Sequence, residues 1–193
     1  MRKNKYNPHF PPILLRLKRG PQVLLPKDIG LILGFSGAGK NSRCLDAGSG
    51  SGFLAIALGN VCKSVVSYEW REDFFLLAQE NVSRSGLKNV KIVKRNIFDG
   101  IKERNLDLIT LDMANSDRIV GIAYKALKVG GFLVGYLPHA EQVQKFAFQC
   151  RLAGFSEVFT LESIVREYLA HDSGFRPQNM GLTHTAYLVF AKK

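Results

Sequence analysis

Short apolar runs alternate with amphipathic segments of helical period along almost the whole chain, and this alternation limits the fold more than any other feature. Strand-like runs lie at residues 43–47, 64–69, 90–94, 106–112, 132–137, 157–161 and 185–191. Helical patterns lie between them at 51–58, 71–85, 117–127 and 140–153. The last of these places Val143, Phe146, Ala147 and Cys150 on one face, with Gly154 placed to cap it. Strand and helix in turn predict an α/β fold: a doubly wound, mostly parallel seven-stranded sheet with helices on both faces, Rossmann-like in its connections. Ligands of such sheets bind beyond the carboxyl ends of the strands, at the point where the strand order reverses.

One stretch points elsewhere. Gly34 to Ser42 reads GFSGAGKNS and contains the G-x-x-x-x-G-K spacing of a nucleoside-triphosphate loop. That loop needs Ser or Thr after its lysine and must open a helix whose N-terminus faces the phosphates. Here Asn41 follows Lys40, and the next residues form a strand-like run, Arg43 to Ala47. The stretch is therefore read as a glycine-rich turn leading into a strand.

At 193 residues the chain has the length of one domain. No apolar run reaches the length of a membrane span, and the basic opening is not followed by a signal-peptide core, so a cytoplasmic protein without membrane association is expected. Cys44, Cys62 and Cys150 are odd in number and sit in apolar stretches, as reduced thiols packed in a core would. His9, His139 and His171 show no metal-ligand spacing, and no metal site is expected. The net charge is +11, and six basic residues (Arg2, Lys3, Lys5, Arg16, Lys18 and Arg19) fall in the first twenty positions with no acid among them. Residues 1–19 thus read as a basic arm and 20–193 as the folded domain. Such an arm suits a nucleic-acid partner, because neutralising phosphates releases counterions; the alternative is a solvated tail.

The first predicted strand ends in Asp46-Ala-Gly48-Ser49-Gly50-Ser51-Gly52-Phe53. A dinucleotide fingerprint would need glycine where Phe53 stands. An acid two residues before three alternating glycines resembles instead motif I of class I S-adenosylmethionine-dependent methyltransferases. Glu69 ends the second strand, where a carboxylate can accept both ribose hydroxyls. Asn96 and Ile97 close the third strand, at a place where such enzymes commonly receive the adenine amino group and pack the ring. Trp70 offers an aromatic wall for the same pocket, or else is a half-buried core indole. Asp112 ends the fourth strand, next to where a methyl donor's sulfonium would lie; its alternative role is to cap the following helix.

With these pieces placed, the chain resembles a narrower family, the tRNA (adenine-N1)-methyltransferases of archaea and bacteria, from about Arg19 to Lys193. The segment Gly20-Pro-Gln22-Val-Leu-Leu-Pro26-Lys27-Asp28-Ile-Gly30 is similar to the one that precedes motif I there. Tyr68-Glu69-Trp70-Arg71 and Leu111-Asp112 recur in register. The tail is the most specific part: a proline–methionine loop, Arg176 to Met180, followed by His184-Thr185-Ala-Tyr187-Leu. Two departures stand out. The family usually carries a small β-rich domain ahead of the catalytic one, and about twenty residues precede the match here. The family also follows its aspartate with a proline-rich stretch, where this chain has Asp112-Met113-Ala114-Asn115.

The resemblance implies S-adenosyl-L-methionine as cofactor, held by Gln22, Asp46, Gly48, Ser49, Gly50, Ser51, Gly52, Glu69, Trp70, Asn96, Ile97 and Asp112. It implies methyl transfer to N1 of an unpaired adenine in tRNA, with Asp112 as the catalytic residue accepting a hydrogen bond from the 6-amino group. It also implies a homo-oligomer, tetrameric in the family. Two other functions fit the same residues: a class I methyltransferase acting on a precorrin-type small molecule or a protein, or a non-catalytic RNA-binding partner subunit.

Overall fold

Buried residues on both faces make the central strands continuous apolar runs, as a parallel sheet covered by helices requires. The computed structural model describes residues 9–20, 22–179 and 184–193. Its strands are β1 (Arg43–Ala47), β2 (Ser64–Glu69), β3 (Val90–Lys94), β4 (Leu106–Leu111), β5 (Leu127–Leu137), β6 (Glu157–Leu161), β7 (Tyr168–His171), β8 (Gly174–Pro177) and β9 (Tyr187–Lys192). The helices are α1 (Pro12–Leu15), α2 (Pro26–Ser36), α3 (Phe53–Gly59), α4 (Glu72–Ser85), α5 (Val120–Ala126) and α6 (Ala140–Leu152).

Seven strands form one sheet in the order β3-β2-β1-β4-β5-β9-β6. The first five pair in parallel, and β9 runs antiparallel between β5 and β6. This is the doubly wound, mostly parallel sheet expected from the alternation. The strand order reverses between β1 and β4, so a crevice opens there at the carboxyl ends of the strands.

Side chains alternate strictly between the two faces. Cys44, Val65, Leu108, Val134, Leu188 and Phe190 join one buried cluster with the apolar faces of α2, α3 and α4. Leu45, Ile109, Leu133, Val189 and Ala191 join the other with α5 and α6. On α6, Phe146, Ala147 and Cys150 are buried and Val143 packs against them, the face that their spacing predicts.

Several boundaries differ from expectation for identifiable reasons. The fourth strand stops at Leu111, and the Asp112 N–H makes the last bond to β1, donating to the carbonyl of Ala47 2.9 Å away. The helix predicted from residue 51 begins at Phe53, since Gly52 is its left-handed N-cap at φ 80°. GFSGAGKNS is the end of a helix and a turn. Gly34 to Ser36 close α2, Gly37 caps it at φ 65°, and Gly39 donates to the Ser42 hydroxyl at 3.0 Å just before β1. No helix follows Lys40, and the phosphate-loop spacing has no counterpart in the structure.

The segment read as a basic arm is folded from Phe10 onward. Phe10, Leu14 and Leu17 are buried in the same cluster as α3, while Arg16, Lys18 and Arg19 face outward. Arg2, Lys3, Lys5 and the tail residues Met180 to Thr183 lie outside the described residues. Among the described residues no helix is long and apolar enough to cross a membrane.

Candidate active site

The crevice at the strand reversal is built from backbone first. After Ala47 the chain turns through Gly48 at φ 89°, and an added Cβ there would lie 2.0 Å from the carbonyl oxygen of Asp112. Only glycine lets the two strand ends approach this closely. Gly48 and Ser49 both donate their N–H groups to the carbonyl of Tyr68, at 3.0 and 3.3 Å, so the loop is tied down to β2.

Asp46 braces the floor. It is 1% exposed, yet its Oδ2 accepts from the Ser67 hydroxyl at 2.6 Å and its Oδ1 from the Thr110 hydroxyl at 2.8 Å. These are its register partners on β2 and β4, so one carboxylate links three adjacent strands. The Ser49 and Ser67 hydroxyls lie 2.5 Å apart and extend the network into the glycine loop. Burial raises the Asp46 pKa and outweighs the lowering by the two hydroxyls.

Glu69 fixes the second wall. Its Oε1 accepts from the N–H groups of Trp70 and Arg71, and its Oε2 accepts from Gly50, all at 3.0 Å. A carboxylate offers about four acceptor positions, so about one remains open. Both ribose hydroxyls can bind here only if at least one of these backbone bonds gives way.

Asp112 closes the site at the end of β4. Among the described residues no partner hydrogen-bonds its carboxylate. Burial, reinforced by the charges of Asp46 and Glu69, pushes its pKa up to about 7. A carboxyl with its pKa raised in a cleft makes Asp112 a candidate functional group.

Around these groups lies a cleft of about 670 Å³, within the usual range for a small-molecule site. Of the residues expected to hold cofactor, Gln22, Gly48, Gly50, Glu69, Trp70, Asn96, Ile97 and Asp112 line it. Asp46, Ser49 and Ser51 line a smaller adjoining cavity instead. Gly52 lines neither; an added Cβ there would lie 3.4 Å from Ala78 of α4, which makes it a packing position. Trp70 is 66% exposed at the rim, so it is a wall of the cleft and not a core indole. The Asn96 Oδ1 accepts from the Phe98 N–H at 3.0 Å, capping a short turn, and has one further acceptor position.

The structure adds residues that sequence reasoning missed. Arg71, Phe74, Arg95, Phe98 and Met113 also line the cleft. The Arg71 guanidinium sits 3.8 Å from the centre of the Phe74 ring. On β5, burial raises the pKa of Tyr136, and the charges of Asp28 and Asp112 add to the rise. Asp28 is fully buried and paired with Lys27 at 2.7 Å, and Lys27 also donates to Thr185 at 2.6 Å and to the Ser163 carbonyl at 2.9 Å. The His-Thr pair of the tail is thereby explained in part. Thr185 joins this buried cluster, and His184 bridges Glu162 at 2.6 Å and the Pro138 carbonyl at 3.1 Å.

Comparison with known proteins agrees with this geometry. Residues 12–186 match the family described as tRNA methyltransferase complex GCD14 subunit. The tRNA (adenine(57)-N(1)/adenine(58)-N(1))-methyltransferase TrmI of Methanocaldococcus jannaschii is 34% identical, across 93% of this chain and 74% of that one. The crystal structure of tRNA (m1A58) methyltransferase TrmI from Aquifex aeolicus superposes with a TM-score of 0.87 at 31% identity, covering 93% of this chain and 73% of that one. A SAM-dependent O-methyltransferase from Thermotoga maritima superposes with a TM-score of 0.88 at 31% identity, covering 93% and 69%. With its fold, its glycine-lined crevice and a family match across most of its length, this chain belongs to the tRNA methyltransferase family of the GCD14 subunit.

Proposed function

We propose that this chain methylates N1 of adenine in tRNA, using S-adenosyl-L-methionine. The observation that carries the reading is the convergence of the glycine loop, Glu69, the Trp70 rim and the neutral-range carboxyl of Asp112 on one cleft. The residues present fit the cofactor: the cleft has room for a nucleoside with an amino-acid tail, Gly50 lines it with open space where a Cβ would stand, and Glu69 keeps an open acceptor position. When bound, the cofactor supplies a methyl group on a sulfonium, electrophilic enough to need no enzyme nucleophile or metal.

The work left to the chain is alignment and desolvation. Glu69 holds ribose hydroxyls, Trp70 and Ile97 flank the adenosine ring, and Asn96 receives its amino edge. Adenine N1 lies on the Watson–Crick edge, so the target base must leave its pairing to enter. In its ionised form, Asp112 accepts a hydrogen bond from the 6-amino group of that base. This orients the N1 lone pair and favours the positive charge that grows on the ring as the methyl arrives.

The charge of +11 supports an RNA acceptor, and Arg16, Lys18 and Arg19 form an outward basic edge on the segment packed over α3. As part of this proposal, residues 1–19 contact RNA phosphates, and the chain acts as a homo-oligomer, tetrameric like its family. Light scattering tests the assembly. Affinity for RNA that falls steeply with salt supports the basic contact, and a flat response opposes it.

The direct test is incubation with methyl-labelled donor and unmodified tRNA, followed by digestion to nucleosides. Label in 1-methyladenosine supports the proposal. Label in a protein or small molecule, or none at all with intact tRNA and donor, contradicts it.

A further inference from the structure

One helix face reaches both the glycine loop and the chain ahead of Gly20. Phe74, Ala78 and Asn81 stand on successive turns of α4: Phe74 meets Gly20, Ala78 meets Gly52, and Asn81 meets both segments. A Cβ at Gly20 would lie 3.3 Å from Phe74 and 3.4 Å from Ser51, and one at Gly52 would lie 3.4 Å from Ala78. Asn81 is fully buried and completes the contact. Its Oδ1 accepts from the Lys18 N–H at 2.8 Å, and its Nδ2 donates to the carbonyls of Lys18 at 2.9 Å and Ser51 at 2.8 Å. Both amide donors are used, and all three partners are backbone groups. A buried amide satisfied this fully holds its partners in one arrangement, because losing any bond strands a polar group away from water.

What it holds matters for the cleft. Ser51 belongs to the glycine loop, whose Gly50 N–H donates to Glu69. Four residues after Lys18 comes Gln22, which lines both the cleft and the adjoining cavity. Leu17 before the clamp, and Leu24 and Leu25 after it, are buried in the core. Residues 17–20 and 22–25 therefore form a strap beside the glycine loop, pinned at Lys18 near its start by one side chain.

We propose that Asn81 is a positioning residue for cofactor binding: it fastens this strap to the glycine loop, so the site is incomplete without the chain ahead of Gly20. The inference rests on the reading of the cleft as an S-adenosylmethionine site. It assigns the segment around Lys18 a role in holding the donor, separate from any contact with RNA.

The test uses the full chain and S-adenosylhomocysteine as probe. In the unmutated protein, amide hydrogen exchange at residues 17–20 slows by about tenfold or more on binding, together with exchange at residues 48–52. Asn81→Ala and Lys18→Pro, which removes the donating N–H, each weaken binding by about tenfold or more, the scale of one lost buried hydrogen bond. Donor KM rises in step while kcat at saturating donor stays within about twofold. Glu80→Ala breaks the Lys18–Glu80 ion pair but leaves the backbone bonds, so affinity holds. Cys150→Ala destabilises the opposite face of the sheet and leaves affinity unchanged, which separates positioning from general loss of stability. Slowed exchange in the glycine loop with none at residues 17–20 overturns the strap, and this result is available even if the variants do not fold. Slowing at neither segment means that the probe does not bind, and the cofactor reading falls with the strap.

Discussion

The carbonyl oxygen of Asp112 occupies the space that a side chain on Gly48 would need, 2.0 Å from the position of its Cβ. The residue that bears the candidate catalytic carboxyl and the glycine loop are thus in close backbone contact. Gly48→Ala combines this clash with a left-handed φ of 89°, so it costs about 3 kcal/mol or more of stability. Gly50→Ala meets nothing closer than 3.9 Å and costs only about 1 kcal/mol for its positive φ. Thermal unfolding of the two variants side by side checks the contrast.

Activity should follow the ionisation of Asp112. Its carboxyl is pushed up to about 7, and only the ionised form accepts from the adenine amino group. kcat/KM therefore rises with pH through about 7 and levels off above it. Asp112→Asn lowers kcat by about a hundredfold or more and removes this rise. A wild-type profile flat from pH 5.5 to 8.5, roughly the window around neutrality, excludes the role.

The same carboxyl weakens the fold when it ionises. Its pKa is about 7 in the folded chain against an ordinary value of 3.8, so the folded state keeps a proton that the unfolded chain releases. The stability contributed by the neutral form is complete below the ordinary value and is lost as pH rises through about 7. Asp112→Asn stays neutral throughout. It should match the wild type in acid and exceed it by about 1–3 kcal/mol at pH 8, as denaturant titration without cofactor will show.

Lys27 and Asp28 form a buried pair, the lysine side chain 6% exposed and the aspartate not at all. Lys27→Met removes the ion-pair partner of Asp28 and leaves it the Ser163 and Thr185 hydroxyls, at 3.3 and 2.9 Å. A loss of about 3–5 kcal/mol is expected, measured by denaturant unfolding. Adding Asp28→Asn should recover part of it, because the uncompensated charge is then gone.

Much of this architecture was legible in the sequence because it is local. β1, β2 and β3 lie where their apolar runs end, at Ala47, Glu69 and Lys94, and the acid–glycine pattern after Leu45 marked the crevice. α2 was hidden by its own composition, since Gly30 and Gly34 lower helix propensity while Ile29 and Ile32 hold it on the core. The β7–β8 hairpin was hidden for another reason: its residues are mostly exposed, so no alternation of apolar and polar side chains marks it. In the first twenty residues the basic charge obscured Phe10, Leu14 and Leu17, whose spacing brings one face into the core. Partnerships across long separations carried no signal at all. The links from Asp46 to Thr110, Lys18 to Asn81 and Lys27 to Thr185 exist only once the strand order brings them together.

Calorimetric titration with S-adenosylhomocysteine addresses the cleft most directly. One equivalent per chain should bind the wild type, and Glu69→Ala, which removes the carboxylate that holds the glycine loop and is proposed to hold the ribose, should weaken binding by about a hundredfold, or about 2.7 kcal/mol. Absence of binding by a folded wild type, or equal affinity in the Glu69→Ala variant, would contradict an adenosyl site between β1 and β2.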